Sequence, residues 1–437
     1  MSSSSIRSLE IAKESSYCSL GSNGVPSTSG LSFQAVEFID ASQVTPVSDT
    51  VLDQPNGARG GLYANPPEIL QTTSGTIIKR GTMTIDFYLR SSGSSAITDG
   101  IRALLGTRFV PSSPTENKST VSSASSNSIV VGMASFAAVG DIIGVQKSPD
   151  APTYYAHVLT TSSATNQTTI TVDPPLTGLV NASDKISVLN DFRLPSFGGD
   201  PLKNGGSSPY NTSQPPTVAL RIIGDGWSQV CYGCQMTGLT ISGTDGDSRA
   251  VKCSATINVA CAIDSGSGTP VVGQKYGGPI EHSLAAPITI SSGFTTTAPT
   301  SSITSSTPPC VDQWTLTLTW TCESSACGNI WVGKAPLEAV SMEASLDVML
   351  GGTSKQASLV TELKAGEYVG VSLGFSGDID GQTSGGAVVI PAAFVSDGSV
   401  STVDLGAGFV RTHCVFGIGP NVLDASGNKP CIQIALM

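Results

Sequence analysis

Apolar and polar residues alternate one for one over several stretches of this chain. From Thr82 to Arg90, Met83, Ile85, Phe87 and Leu89 alternate with Thr82, Thr84, Asp86 and Tyr88. From Val251 to Val259, Val251, Cys253, Ala255, Ile257 and Val259 alternate with Lys252, Ser254, Thr256 and Asn258. Trp314, Leu316, Leu318 and Trp320 alternate with Thr315, Thr317, Thr319 and Thr321. Val340, Met342, Ala344, Leu346, Val348 and Leu350 alternate with Ser341, Glu343, Ser345 and Asp347, and Val369, Val371, Leu373 and Phe375 with Gly370, Ser372 and Gly374. A period of two sends successive side chains to opposite faces of a strand. Each segment therefore predicts a strand with one dry and one wet face, as in an antiparallel sheet covered on one side. An ordinary β-sandwich and a sheet lining an enclosed lumen both satisfy this pattern.

Helix signals are few. Ile97, Ile101, Leu104 and Leu105 follow helical spacing around Asp99–Leu105, with Thr98 or Asp99 as cap and Gly106 as stop. Ser358–Leu363 is a shorter candidate. Ser112–Asn127 and Ser291–Pro309 are Ser/Thr-rich and read as seams. Between the first seam and Asp191, the runs SIVVGMASFAAVGDIIGVQ, YYAHVLTTSS, TTITVDPPL and DKISVL predict about five short strands with tight turns. They suggest a small barrel at 126–190 inserted into a first β-domain, 1–263. A second β-domain, 264–437, shows a loose echo of the first. The fold class is mainly β.

Composition narrows the partners. Charged residues are 13% of the chain, about half the usual ~25%, so Ser, Thr, Gly and Asn must cover much of the surface. The formal net charge of −11 opposes tight binding to nucleic acid, which depends on Lys and Arg neutralising phosphates. The polar start Met1–Ser5 has no basic region followed by an apolar one, and no apolar run is long enough to span a membrane. The expectation is a product made and assembled in the cytoplasm, where its ten cysteines remain thiols.

Motifs with chemical potential mostly fail on inspection. Cys231-Tyr-Gly-Cys234 lacks a second CxxC at zinc-ribbon spacing, and a strand follows it where a redox motif needs a helix. Structural thiols, a disulfide or a metal remain the readings, with thiols favoured. Cys322 and Cys327 have the spacing of a loop disulfide. His157, His282 and His413 are far apart in sequence, no acid partner can be assigned to them, and no G-x-S-x-G elbow is present. Asp378-Ile-Asp380-Gly381 starts like a calcium loop, but Val389 stands where Glu is required. Asp245-Gly-Asp247 suits a hairpin turn. The glycines around Lys203 lack the following Ser/Thr of a phosphate loop. No catalytic residue, metal ligand or cofactor is expected.

Several segments together resemble the tail tube proteins of long-tailed bacteriophages. SIRSLEIAKESSYCSLGSNGVP is similar to the family's entering strand and Gly-rich segment. ARGGLYANPPEILQTTSGTIIKRGTMTIDFYLR resembles its long loop and hairpin, IRALLGTRF its short helix, and CYGCQMTGLTISGTDGDSRAVKCSATIN its final hairpin. The likeness covers about Ser5–Arg108 and Leu220–Val259, and rests on the order and character of segments.

The resemblance implies a β-sandwich or barrel with a flanking helix, in two tandem tube-like domains, the small barrel decorating the outside. It implies a structural virion protein and not an enzyme. Trimeric or hexameric rings would stack into a tube that conducts DNA, in contact with tape measure, terminator and baseplate proteins and with no membrane. Thr82, Thr84, Asp86, Ser254, Thr256, Thr315, Thr317, Glu343 and Asp347 would then face the lumen, where hydroxyls and carboxylates hold water and let DNA slide. The N-terminal arm, the loop Gln54–Thr73 and the strand around Ile432–Leu436 would join rings, so that removing Met1–Ile11 leaves folded monomers. Another ring-forming tail protein, a β-rich adhesin and a carbohydrate-active sandwich are the alternatives.

Overall fold

The computed structural model describes residues 6–36, 38, 44–53, 68–69, 77–90, 110–111, 117–147, 153–194, 217–244, 249–271, 279–282, 288–291, 310–329, 333–351, 368–375, 385–395, 400–404, 410–418 and 432–436, less positions 16, 22, 23, 45, 50, 51 and 126. Among the described residues every long element is a strand. The expected helix at Asp99–Leu105 and the turn at Ser358–Leu363 lie outside them.

The strands before the insert are β1 (Ile6–Lys13), β2 (Gln34–Val36), β3 (Leu52–Asp53), β4 (Glu68–Ile69), β5 (Ile78–Tyr88) and β6 (Val110–Pro111). The insert carries β7 (Lys118–Ser125), β8 (Ser128–Val131), β9 (Ile142–Gln146), β10 (Tyr154–Ala164), β11 (Gln167–Asp173) and β12 (Lys185–Leu194). Then come β13 (Val218–Gly224), β14 (Ser228–Thr244), β15 (Lys252–Ser265), β16 (Ile288–Ile290), β17 (Cys310–Asn329) and β18 (Gly333–Gly351). The chain closes with β19 (Tyr368–Gly374), β20 (Gly386–Phe394), β21 (Val400–Asp404), β22 (Val410–Ile418) and β23 (Ile432–Leu436).

A first layer runs β5–β15–β14–β17–β18–β22, antiparallel throughout. β14 is its pivot. β15 follows β14 along one edge, while the other edge is shared between β13 at Cys234 and before, and β17 from Gly238 onward. A register shift between Met236 and Gly238 marks the handover. A second irregularity sets Cys231 and Cys234 against Leu220 and Val218. Gly233, at φ 61, sits within it. A Cβ there would meet Cys18 Sγ at 2.4 Å, so glycine is required by both conformation and space.

β19, β20, β23 and the end of β12 form a second layer, with β16 and β6 outside them. Its inner residues Val371, Leu373, Val388, Ile390, Ile432 and Ile434 share one core with Met83, Ile85, Phe87, Leu316 and Leu346 of the first layer. Trp314 stacks on Phe375 across it, ring centroids 4.9 Å apart. This core reaches from Leu9 to Leu436, so it crosses the 263/264 position at which a domain boundary was expected. β19 also departs from expectation: Gly370, Ser372 and Gly374, its supposed wet face, are buried. Strands covered on both sides lose their polar face.

The cover is the inserted barrel. Its order β7–β8–β11–β10–β9–β12 returns to β7, closing six strands around a core of their own. The barrel starts at Lys118, inside the Ser/Thr-rich stretch read as a seam. In β7 only Val121 is buried, too little to signal a strand. β12 leaves the barrel at Leu189 and continues as Asn190–Leu194 between β23 and β6. Ile142, Tyr155 and Leu189 pack on Ala387, Val389 and Ala435.

Gln433 is the polar pin of this contact. Its Oε1 lies 2.6 Å from His157 Nδ1, and its Nε2 donates to Gly140 O at 2.8 Å and to Asp191 Oδ2 at 2.6 Å. Arg193 then links Asp191 to Asp141. The order across the molecule is therefore polar face, first layer, core, second layer, barrel.

Two segments expected to join rings have a different place. β23 is enclosed between β12 and β20 and buried along its length. β1 lies between β13 and β2, with Leu9 and Ile11 in the core. Removing Met1–Ile11 takes apolar side chains and a strand partner from the fold. We expect this deletion to abolish the cooperative thermal transition seen by circular dichroism. A deleted protein that melts like the full chain would contradict the placement of β1. Gln433→Ala removes three hydrogen bonds to buried groups, with Asp191 Oδ2 still held by Arg193 Nε, and should cost about 1–3 kcal/mol in urea unfolding.

Candidate functional site: a hydroxyl-rich sheet face

Register decides which side chains the first layer presents together. Asp86 pairs with Ser254, Ser254 with Thr240, Thr240 with Thr317, and Thr317 with Ser345. A second row runs Thr84, Thr256, Gly238, Thr319, Glu343, and a third Tyr88, Lys252, Ser242, Thr315, Asp347, Val415. Thr82 opens a fourth, opposite Asn258. All nine positions read from the sequence thus lie on one face of one continuous sheet. On the opposite face of the same strands, Met83, Ile85, Phe87, Cys253, Ala255, Leu316, Leu318 and Leu346 are buried.

Hydroxyl groups dominate the face. Ser254 Oγ donates to Asp86 Oδ1 at 2.6 Å, directly across the β5–β15 pair. His413 Nε2 lies 2.7 Å from Asp347 Oδ1, with both side chains part-exposed. Arg411 pairs with Asp312 at 2.5 Å. Lys252 is exposed among the hydroxyls. Carboxylates and cations are sparse and interspersed, so the face is better described as hydroxylated than as acidic.

Thr240 and Ser242 of β14, and His413 and Arg411 of β22, were not found from the sequence. The first half of β14 is buried on both faces, which hides the alternation of its second half. His413 gains its acid partner only through the β18–β22 register.

The other chemistry-bearing residues are dispersed. His282 accepts from Trp314 Nε1 at Nδ1, 3.3 Å, which leaves Nε2–H to donate to Val311 O at 2.9 Å inside the core. His157 sits at the barrel contact. Cys231 and Cys234 are buried free thiols, and burial raises the Cys234 pKa well above its ordinary value. Such thiols are poor nucleophiles and poor metal ligands. Among the described residues no group of three His, Cys, Asp or Glu is placed to hold a metal ion. The side chains of Cys322 and Cys327, the calcium-like Asp378–Gly381, the Asp245 turn and the Lys203 glycines lie outside the described residues.

Neighbouring positions on β17 give a direct check of the two faces. Leu316→Ala should cost about 2–5 kcal/mol in unfolding free energy, and Thr317→Lys within about 0.5 kcal/mol. Similar costs for both would refute the separation into core and open face. No protein-family model matches this chain, and no curated protein matches it.

Proposed function

We propose that this chain is the tube subunit of a phage tail, forming stacked rings around a lumen lined by the hydroxyl-rich face. The observation that carries the reading is the coincidence of polar positions from β5, β15, β14, β17, β18 and β22 on one unbroken sheet surface. Short hydroxyl side chains keep water at such a surface without presenting a row of cations. A polyanion moving past it meets no array of phosphate contacts, which is what passage without capture requires.

The placement of the barrel supports the same reading. It lies on the far side of the core from the polar face, so it would project outward and leave the bore open. β5 supports ring closure. Among the described residues this 11-residue strand has one sheet neighbour, β15; past Arg80, whose backbone N–H donates to Asp49 O at 2.9 Å, no described strand lies on its other edge, which suits pairing with another copy.

Negative-stain electron microscopy of the purified protein at rising concentration tests the proposal. Hollow tubes with a regular axial repeat are expected, with threefold or sixfold rings end-on. Single rings that never stack would favour a terminator or baseplate ring. A protein that stays monomeric at all concentrations and with tail initiator proteins added would count against the tube and lead next to glycan binding.

The bore chemistry has its own test. A Thr240→Lys, Thr317→Lys double variant should still assemble. Its tubes should retain DNA at low salt and release it as salt rises, while unsubstituted tubes retain none. Strong DNA retention by the unsubstituted tubes would overturn the passage argument.

A further inference from the structure

Glu14, directly after β1, is buried at the meeting point of three segments. Its carboxylate accepts from Thr217 Oγ1 at 2.5 Å, from the Gly233 backbone N–H at 3.2 Å to each oxygen, and from Ser19 Oγ at 3.3 Å. Thr217 begins the approach to β13, Gly233 belongs to the irregularity of β14, and Ser19 closes the turn Tyr17–Ser19. Cys18 and Ser19 both have left-handed backbone, φ 58 and 43. Non-glycine residues hold that conformation only when their surroundings impose it. Here those surroundings are the Glu14 hydrogen bonds and the packing of Cys18 over Gly233.

The segment after the turn covers an apolar patch. Tyr17 and Cys18, with Leu31 and Phe33, pack on Ile78, Ala219, Val230, Tyr232, Ala260 and Cys261. Arg221 lies over the Phe33 ring at 4.4 Å. The carboxylate thus ties down one end of a flap whose underside is hydrophobic.

We propose that Glu14 is a protonation-controlled latch: uncharged, it holds the Tyr17–Phe33 segment against the sheet, and ionised, it lets that segment open. The surroundings decide the direction. Interacting electrostatically with Glu14 are Tyr17 and Cys18 from the turn, Tyr232 and Cys234 from β14 and Cys261 from β15; Arg80 of β5 acts on Tyr17, Cys18 and Cys261, and Cys231 on Tyr232, Cys234 and Cys261. Burial raises the tyrosines and Cys18, Cys234 and Cys261 far above neutrality, so these remain uncharged. Burial also outweighs the hydrogen bonds at Glu14 and raises its pKa to about 7 from 4.5.

The closed flap therefore holds a proton that an open one sheds between those two values. Stability of the closed form is greatest below pH 4.5 and is lost as pH rises through about 7. With these two pKa values the opening equilibrium rises about tenfold between pH 6 and pH 8. The latch is independent of the tube reading.

Hydrogen exchange by mass spectrometry on the full chain, corrected for the intrinsic pH dependence of exchange, tests it. The Tyr17–Phe33 segment should open about tenfold more at pH 8 than at pH 6, and Glu14→Gln should remove that difference. Unchanged opening in the unsubstituted protein, or the same pH response in Glu14→Gln, would overturn the proposal. Should Glu14→Gln fail to fold, infrared difference spectra of the unsubstituted protein decide. Loss of a buried carboxylic acid band between pH 6 and pH 8, in step with the exchange, supports the latch. Loss of protection without that band change refutes it.

Discussion

A strand side chain points to the opposite face from its neighbours, so a polar surface wider than one strand exists only if every register agrees to within an even number of residues. In this molecule the agreement runs through β14. It pairs with β15 and β17 at the same residues, Gly238 to Ser242, and so fixes both neighbours against one template. A one-residue slip on either side would place leucines in water and threonines in the core. The core fixes the register more firmly than any polar contact does. Trp314 on Phe375, and Ile85 and Phe87 beside Leu316 and Leu346, can be buried together in one register only.

β14 answers to a second demand at its other end. Its first half leaves the open face and becomes a strand buried on both sides, against β13 and under the turn at Tyr17–Ser19. Two local irregularities absorb the change, and Gly233 is the residue that permits close approach of that turn. The same glycine supplies an N–H to Glu14. The site where the sheet changes character is also where a carboxyl group has been taken out of water without a cation among its hydrogen-bond donors. Burying it costs free energy unless it keeps a proton. The proposed latch follows from that burial: a proton held by Glu14 in the closed fold is released when the carboxyl returns to water.

What could be read from the sequence follows from these demands. Positions 82–88 of β5, 252–258 of β15, 313–320 of β17 and 343–350 of β18 are half-buried and alternate; the nine face positions come from those four stretches. The first half of β14 and the whole of β19 are covered on both sides, so their polar residues carry no information about exposure. β7 errs the other way: one buried valine in eight residues looks like linker, and its strand character comes from β8 and β12. The common core escaped notice because β23 returns from the end of the sequence to lie between β12 and β20. Composition along a chain does not record such long-range returns. The pairing of His413 with Asp347 was hidden for the same reason.

The edges of the first layer complete the physical picture. β22 has β21 along its outer side and meets β20 at Gly417 and Ile418, so the sheet turns there into the second layer. At the other edge β5 carries Lys79 and Arg80 near its start, engaged by Asp264 and the Ala260 carbonyl. The stretch from Thr82 to Phe87 carries no positive charge of its own. Edge strands that remain exposed are commonly guarded by an outward lysine, a proline or a bulge. This stretch has none of them. Among the described residues no strand pairs with this stretch on the side away from β15, and an uncovered edge beside a hydroxylated face is a hazard for a solitary protein and an asset for one that continues its sheet into a neighbour. In the ring assembly proposed above, each added copy would cover one such edge, and the last to join would leave none exposed.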